Sequence, residues 1–378
     1  GLSFNNLMKR ITIIILLFSS ILCELKAEDG YRLWLRYDRI SDQKKLTLYQ
    51  QLTKDWVVEG ESPTLAIARK ELQAGFNGLL GSSISGTKVD GKTNGIIAGT
   101  PQSSSFIASL KLHDKLKSIG GDGFLIITTS VNNKKTIVIT ASEDIGVLYG
   151  VFHFLRLLQT QQDINNLSVE SSPKIKLRVL NHWDNLDRTV ERGYAGFSIW
   201  DWHKLPDYLD QRYYDYARAN ASIGINGTVL TNVNANALII TPAYLSKVKA
   251  LADLFRPYGI KVYLPARFSA PIEIGGLKTA DPLDKEVQQW WKDKCDEIYK
   301  SIPDFGGFIV KANSEGQPGP QNYGRSHADG ANMLADALQP HNGVVMWRAF
   351  VYDANVQVDR AMQAYNEFKP LDGKFRSN

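Results

Sequence analysis

Cysteine is almost absent, with Cys23 and Cys295 the two examples in 378 residues. Cys23 falls within a segment expected to be removed, so one thiol remains and no internal disulfide can form; the fold must be held by its core. Histidine is scarce too, and those at 182, 203, 327 and 341 show no pair at ligand spacing. No metal is expected on that pattern. A G-x-S-x-G elbow is missing, which removes support for serine hydrolysis. No glycine-rich dinucleotide fingerprint follows the first parallel strand, where the sequence reads NHWDNLD, so a nucleotide cofactor is not expected either. The net charge of +5 is small for this length, and no basic run is interleaved with aromatics, so nucleic acid is not an expected partner. The apolar run from Ile11 to Leu22 is too short for a membrane span, which takes about 20 residues.

That run is informative in another way. Met8, Lys9 and Arg10 precede it and Ala27 closes it, the layout of a secretory signal over 8–27 with cleavage expected after Ala27. A lipoprotein site at Cys23 is disfavoured by the bulk of Leu22. The protein is expected to be exported, to the periplasm or the outside, with no membrane span in the mature chain. Gly1 stands seven residues before Met8, as expected of a translated stretch of gene.

What remains is globular: 43% apolar and 22% charged, with eight tryptophans and sixteen tyrosines. Residues 28–172 are expected to form a small α+β domain. YRLWLRY alternates as a strand does, and Pro63–Leu80 carries Leu65, Ile67, Leu72 and Phe76 at helical spacing. Gly95–Ala98 reads as a short strand and Ala108–Leu116 as a short helix. FLIITTSV and KTIVITAS flank Asn132 and Asn133, a hairpin signal. Asp144–Thr160 is expected to be the helix that packs this domain.

After a polar break at Ser171, Ser172 and Pro173, strand and helix alternate strictly. Strands are expected at Leu177–Leu180, Gly227–Leu230, Lys261–Leu264, Gly307–Val310 and Val344–Trp347, with helices near 207–220, 242–257, 284–301, 328–338 and 358–368. Short apolar strands repeated every 35 to 50 residues or so fit a (β/α)8 barrel better than an open sheet. The pattern supplies about five βα units over 173–378, so the chain is expected to be truncated at its C-terminal end, an open barrel with raw edges.

In such a barrel, chemistry gathers at the C-terminal ends of the strands. There the sequence places His182 and Trp183, then Asn232, Val233 and Asn234, then Arg267, then Lys311, Asn313 and Glu315, and last Arg348 and Tyr352. Gly316, Pro318, Gly319 and Pro320 keep the stretch after Glu315 out of a helix. Indole faces, amides and a carboxylate suit a polyhydroxylated ring. Lys311 and Arg348 add fixed positive charge, costly in a cleft without an anion. An acidic sugar satisfies both. Each residue also has a plainer use: Trp183 as core, Arg348 paired with an internal aspartate, His182 as a hydrogen-bonded structural residue.

The stretches LNHWDNLDRTVERGYAGFSIWDW, KVYLPARFSAP, GGFIVKANSEGQPGPQNYGRSHADGANMLADAL and GVVMWRAFVY resemble the α-glucuronidases of glycoside hydrolase family 67. The resemblance covers essentially the whole barrel portion. It implies an exo-acting, inverting enzyme without cofactor that removes α-1,2-linked (4-O-methyl)glucuronic acid from the non-reducing end of short xylo-oligosaccharides. On this sequence it makes Glu315 the general acid, and Lys311 and Arg348 the partners of the uronic carboxylate. Trp183 becomes an aromatic wall, and Val233 the apolar neighbour of the 4-O-methyl group. It also implies a base on later strands and a C-terminal helical domain that supports dimerisation, so the stretch alone is expected to be inactive. A hexosaminidase-like hydrolase would show an adjacent Asp-Glu pair, whereas Ser314 precedes Glu315. An exported uronate-binding protein without catalysis is the non-enzyme alternative.

Overall fold

The computed structural model describes residues 28–81, 88–234, 236–348 and 358–378. The expected secretory segment at 8–27 and Tyr352 lie outside the described residues. The chain divides into two compact units, Gly1–Tyr37 and Asp38–Asn378. In the first, YRLWLRY does not form the expected strand. Leu33 and Tyr37 both take φ of 52°, and the Leu33 and Leu35 N–H groups donate to Gly30 and Arg32 in tight turns. A ladder needs extended φ throughout, and local turn bonds prevail here.

The second unit contains two sheets. The first has the order β1-β2-β4-β3-β5, with β1 at Asp55–Val58, β2 at Gly95–Gly99, β3 at Phe124–Val131, β4 at Lys134–Thr140 and β5 at Ser168–Ser171. Helices α1 (Gln43–Leu52), α2 (Pro63–Leu80), α3 (Ser105–Ser109), α4 (His113–Ile119) and α5 (Asp144–Gln159) accompany it. Local chemistry sets the bounds of α2. The Ser62 hydroxyl accepts from the Leu65 N–H at 3.2 Å, Pro63 opens the first turn and Gly81 closes the helix at φ 63°. The β3–β4 hairpin turns at Asn132 and Asn133, with φ of 47° and 64°, the two left-handed positions of a type I′ turn. The helix expected over Ala108–Leu116 is instead two short ones, α3 and α4. Lys111 between them has φ 55°, which an α-helical ladder cannot absorb.

The second sheet is parallel throughout and sequential, β6 to β10: Val179–Asn181, Gly227–Val229, Lys261–Pro265, Gly307–Val310 and Val344–Trp347. Its helices are α6 (Gln211–Ser222), α7 (Pro242–Phe255), the single turn α8 (Ala270–Glu273), α9 (Lys285–Ser301), α10 (His327–Leu338) and α11 (Arg360–Phe368). This is the curled parallel sheet of a half barrel. The first strand starts later than expected because the Arg178 N–H donates to the Asn226 side chain, which leaves Leu177 exposed. Between β9 and β10 the backbones approach closely. Gly307 holds φ 136°, and a Cβ there would lie 1.9 Å from the Val344 carbonyl oxygen, so no side chain fits.

Alternation along these strands sorts the faces. Val262, Leu264, Phe308, Val310, Val345 and Trp347 pack with the helices around Trp200, Phe255 and Trp291. Val229, Tyr263, Ile309 and Met346 cluster on the other face. The two sheets of this unit are tied through α2 and α6. Arg218 donates from Nε and Nη2 to both oxygens of the nearly buried Glu71, at 2.9 and 2.7 Å. Thr64 donates to the Pro257 carbonyl at 2.7 Å and Arg178 pairs with Asp122 at 2.6 Å. Among the described residues no helix is long and apolar enough to cross a membrane.

Candidate active site

Strand periodicity delivers two cations to one place. Lys311 lies two residues beyond Ile309, and Arg348 two beyond Met346, so both continue the face of the sheet turned away from the helices. Arg348 is held there by its backbone, whose N–H donates to the Val310 carbonyl at 3.1 Å. The Lys311 side chain is 4% exposed; its Nζ donates to Asn234 Oδ1 at 2.8 Å and pairs with Glu315 Oε2. A buried ammonium is tolerated only with such partners.

The loop that carries Glu315 is built from unusual backbone. Asn313, Glu315 and Gly316 take φ of 49°, 52° and 75°, and the Gln317 N–H closes a turn on the Ser314 carbonyl at 3.0 Å. Glycine and asparagine adopt that region readily, but glutamate does so at a cost of about 1 kcal/mol. The distortion turns the carboxylate back over Lys311. Opposite, Arg192 Nη2 stands 3.7 Å from Glu315 Oε1. The Lys311 hydrogen bond holds the Glu315 carboxyl below the usual range; burial opposes it, and the charges of Lys311, Arg192 and Arg348 add to the lowering.

Arg348 has no such satisfaction. Burial pulls its guanidinium below the ordinary value, with Glu315 opposing, yet an arginine stays charged at any working pH. Its Nη1 is buried without a hydrogen-bond partner among the described residues, and its Cζ lies 5.9 Å from the centre of the Trp183 ring. Trp183 is 36% exposed, a wall as much as a packing group. The structure thus gathers Glu315, Lys311, Arg348 and Trp183. Val233, 2% exposed, packs with Val229, Tyr263 and Ile309 beneath them. Arg267 is engaged by Glu273 and Gln317. His182 is structural here: its Nε2 is 2.8 Å from the Tyr216 hydroxyl, which in turn meets Thr228.

Beside this cluster a cleft of about 520 Å³ opens between the β6–α6 and β7–α7 connections. Asp184, Asn185, Thr231, Asn232, Asn234 and Tyr244 are among its lining residues. Asn234 faces both ways, since it also accepts the Lys311 hydrogen bond.

Two residues near Glu315 were not singled out from sequence, Arg192 and Glu191. Both lie on the long β6–α6 connection, folded over itself by the bridges Asp184–Val190 and Thr189–Phe197 and by Asn185, which donates to the Glu191 carbonyl at 2.8 Å. Glu191 is 10% exposed, sits 3.6 Å from Arg192 Nε, and its Oε2 has no partner among the described residues. The length of that connection was the available signal, because long ordered loops at strand ends tend to be functional.

Residues 157–378 match the family described as the glycosyl hydrolase family 67 middle domain, and residues 33–154 the glycosyl hydrolase family 67 N-terminus. Among curated relatives, a protein named probable alpha-glucuronidase A from Aspergillus clavatus is 40% identical over 93% of this chain and 42% of its own length. Its namesake from Aspergillus niger is 35% identical over 98% of this chain and 44% of its own. The chain therefore spans less than half the length of these relatives. A solved structure of a GH138 enzyme targeting pectin rhamnogalacturonan II superposes with a TM-score of 0.50 at 16% identity, covering 84% of this chain and 37% of that one. That likeness speaks to the fold alone.

Proposed function

The chain belongs to glycosyl hydrolase family 67, and from that premise we propose that it carries the acid and the uronate-binding groups of an α-glucuronidase. The protein would remove α-1,2-linked (4-O-methyl)glucuronic acid from the non-reducing end of xylo-oligosaccharides, with inversion and without a cofactor. The observation that carries this reading is Arg348, a half-buried cation whose buried Nη1 has no hydrogen-bond partner among the described residues and whose guanidinium lies over an indole face, next to the Lys311–Glu315 pair. A sugar carboxylate meets that need with a charge-assisted bond, and the indole suits the apolar face of its ring.

Glu315 poses a problem of charge that the same groups can solve. A general acid has to be protonated at the working pH, whereas Lys311 holds this carboxyl low in the free protein. When the uronate arrives, Lys311 turns from Glu315 to the substrate. Its hydrogen bond to the acid is lost and a new negative charge stands nearby; both changes raise the Glu315 pKa. The protonated carboxyl then donates to the departing xylose oxygen while water attacks the anomeric carbon from the opposite face. In an inverting enzyme that water is activated by a second carboxylate, about 6.5–9.5 Å from the acid. No base is assigned within this chain, and the stretch by itself is expected to be inactive. Export belongs to the same proposal and rests on the sequence pattern at 8–27.

The test is Glu315→Gln in the full-length protein, assayed on glucuronosyl-xylobiose. Turnover is expected to fall by about 100-fold or more, as for loss of a general acid, while calorimetric binding of glucuronate persists. Loss of uronate binding with turnover per bound substrate preserved would falsify the role.

A further inference from the structure

Glu315 and Arg348 leave the sheet from neighbouring strands, and both trace back to one side chain behind it. Trp347, the last residue of β10, packs on the helix side of the sheet, while Arg348 continues on the other face. The Trp347 indole donates to His327 Nδ1 at 3.1 Å. One turn further along α10, a Cβ at Gly330 would stand 2.8 Å from the indole and 3.0 Å from the Pro320 ring. Only a glycine lets the end of β10 and the loop after Glu315 meet α10 at the same point.

That loop closes on itself. Gly319 lies against the strand end, where a Cβ would be 2.8 Å from the Asn313 backbone nitrogen, and the Arg325 N–H donates to the Pro320 carbonyl at 3.1 Å. Glu315, between Asn313 and Gly319, therefore hangs from the tight turn Pro320–Tyr323. Gln321 in that turn has its side-chain amide 2.8 Å from His327 Nε2, and its buried Oε1 has no partner among the described residues. Half a turn of the amide offers that oxygen to the Nε2–H, so the imidazole is the group that fixes this side chain.

His327 itself has little freedom. It is 2% exposed and stands at the start of α10, whose first turn is closed by reciprocal bonds between Ser326 and Asp329. Phe368 of α11 stacks on its ring at 4.5 Å. Glu367 Oε2 stands 2.8 Å from Nε2, while the other Glu367 oxygen accepts from Gln363 at 3.1 Å. A buried imidazole engaged at both nitrogens keeps one orientation, and each nitrogen passes on a fixed position.

We propose that His327 is a positioning residue for the reaction, its Nδ1 setting Arg348 through Trp347 and its Nε2 setting Glu315 through Gln321. The uses of Arg348 and Glu315 rest on the α-glucuronidase reading; the two arms rest on the geometry alone.

Two near-isosteric replacements separate the arms. Asparagine puts an acceptor where Nδ1 stands and nothing at Nε2, whereas glutamine fills the Nε2 position and leaves the indole without an acceptor. In the full-length protein, His327→Asn is expected to lower kcat on glucuronosyl-xylobiose about tenfold, the scale of one lost hydrogen bond, with calorimetric glucuronate affinity held within about twofold. His327→Gln should do the reverse, weakening glucuronate about tenfold and sparing kcat. A second readout needs no substrate. A carbon-13 label on the Glu315 carboxyl should titrate higher in His327→Asn, where the loop no longer holds the acid on Lys311, and stay unmoved in His327→Gln. Equal losses of kcat and affinity in both variants, or no change in either, would mark the histidine as plain packing and overturn the proposal. A Glu315 midpoint that moves alike in the two would overturn it as well. If the unmodified protein neither binds glucuronate nor cleaves the linked sugar, the α-glucuronidase reading falls, and the split in the Glu315 midpoint still decides the role of His327.

Discussion

At the scale of single residues, the chemistry turns on how three cations share one carboxylate. Lys311 is the largest influence on Glu315, so Lys311→Met should move the Glu315 titration upward in the free protein. The sign follows from removing a partner of the charged form. A carbon-13 label on the glutamate carboxyl reads the midpoint, and an unmoved midpoint would count against the pairing. Arg348→Ala should cost acidic substrates about 10- to 100-fold in affinity, from a charged hydrogen bond of roughly 1.5–3 kcal/mol, and leave neutral sugars alone. Equal losses on both would remove its carboxylate role. Lys311, Arg348 and Trp183 were legible from sequence because strand ends can be found by pattern and face by alternation. Arg192 and Glu191 were not, since the folding of a long connection over itself leaves no periodic trace.

At the scale of elements, α10, β10 and α11 meet at a buried histidine. The Trp347 indole donates to His327 Nδ1 at 3.1 Å, so the proton of the neutral ring sits on Nε2, which faces both Glu367 and the Gln321 side-chain amide at 2.8 Å. Burial lowers the His327 pKa, with Glu367 opposing, and burial also lowers that of His153. A histidine held neutral in the fold contributes stability that is complete above the ordinary value of about 6.5 and is lost as the pH falls below it. The melting temperature is therefore expected to drop between about pH 7 and 5, and His327→Asn should flatten that slope. A slope unchanged in the variant would assign the acid sensitivity elsewhere. Elements with strong local chemistry, such as α2 with its serine cap and the Asn132–Asn133 turn, were readable directly. Short or edge elements such as α1, β1 and β5 carry too few apolar positions to declare a period.

For the second compact unit as a whole, the Glu71–Arg218 pair joins helices that serve different sheets. Arg218→Ala would strip a nearly buried carboxylate of its bidentate partner, at an expected cost of about 3 kcal/mol. Urea unfolding should register it as a lower midpoint; a cost below about 0.5 kcal/mol would put the pair among ordinary surface bridges. Such long-range pairs were invisible in the sequence, where Glu71 and Arg218 are simply charged residues on helices far apart.

The left-handed backbone at Glu315 sets durability against reactivity. Glycine would sit at that position with less strain than the glutamate that occupies it. A population selected only for heat resistance would drift toward glycine there, and its survivors would be sturdier and chemically silent.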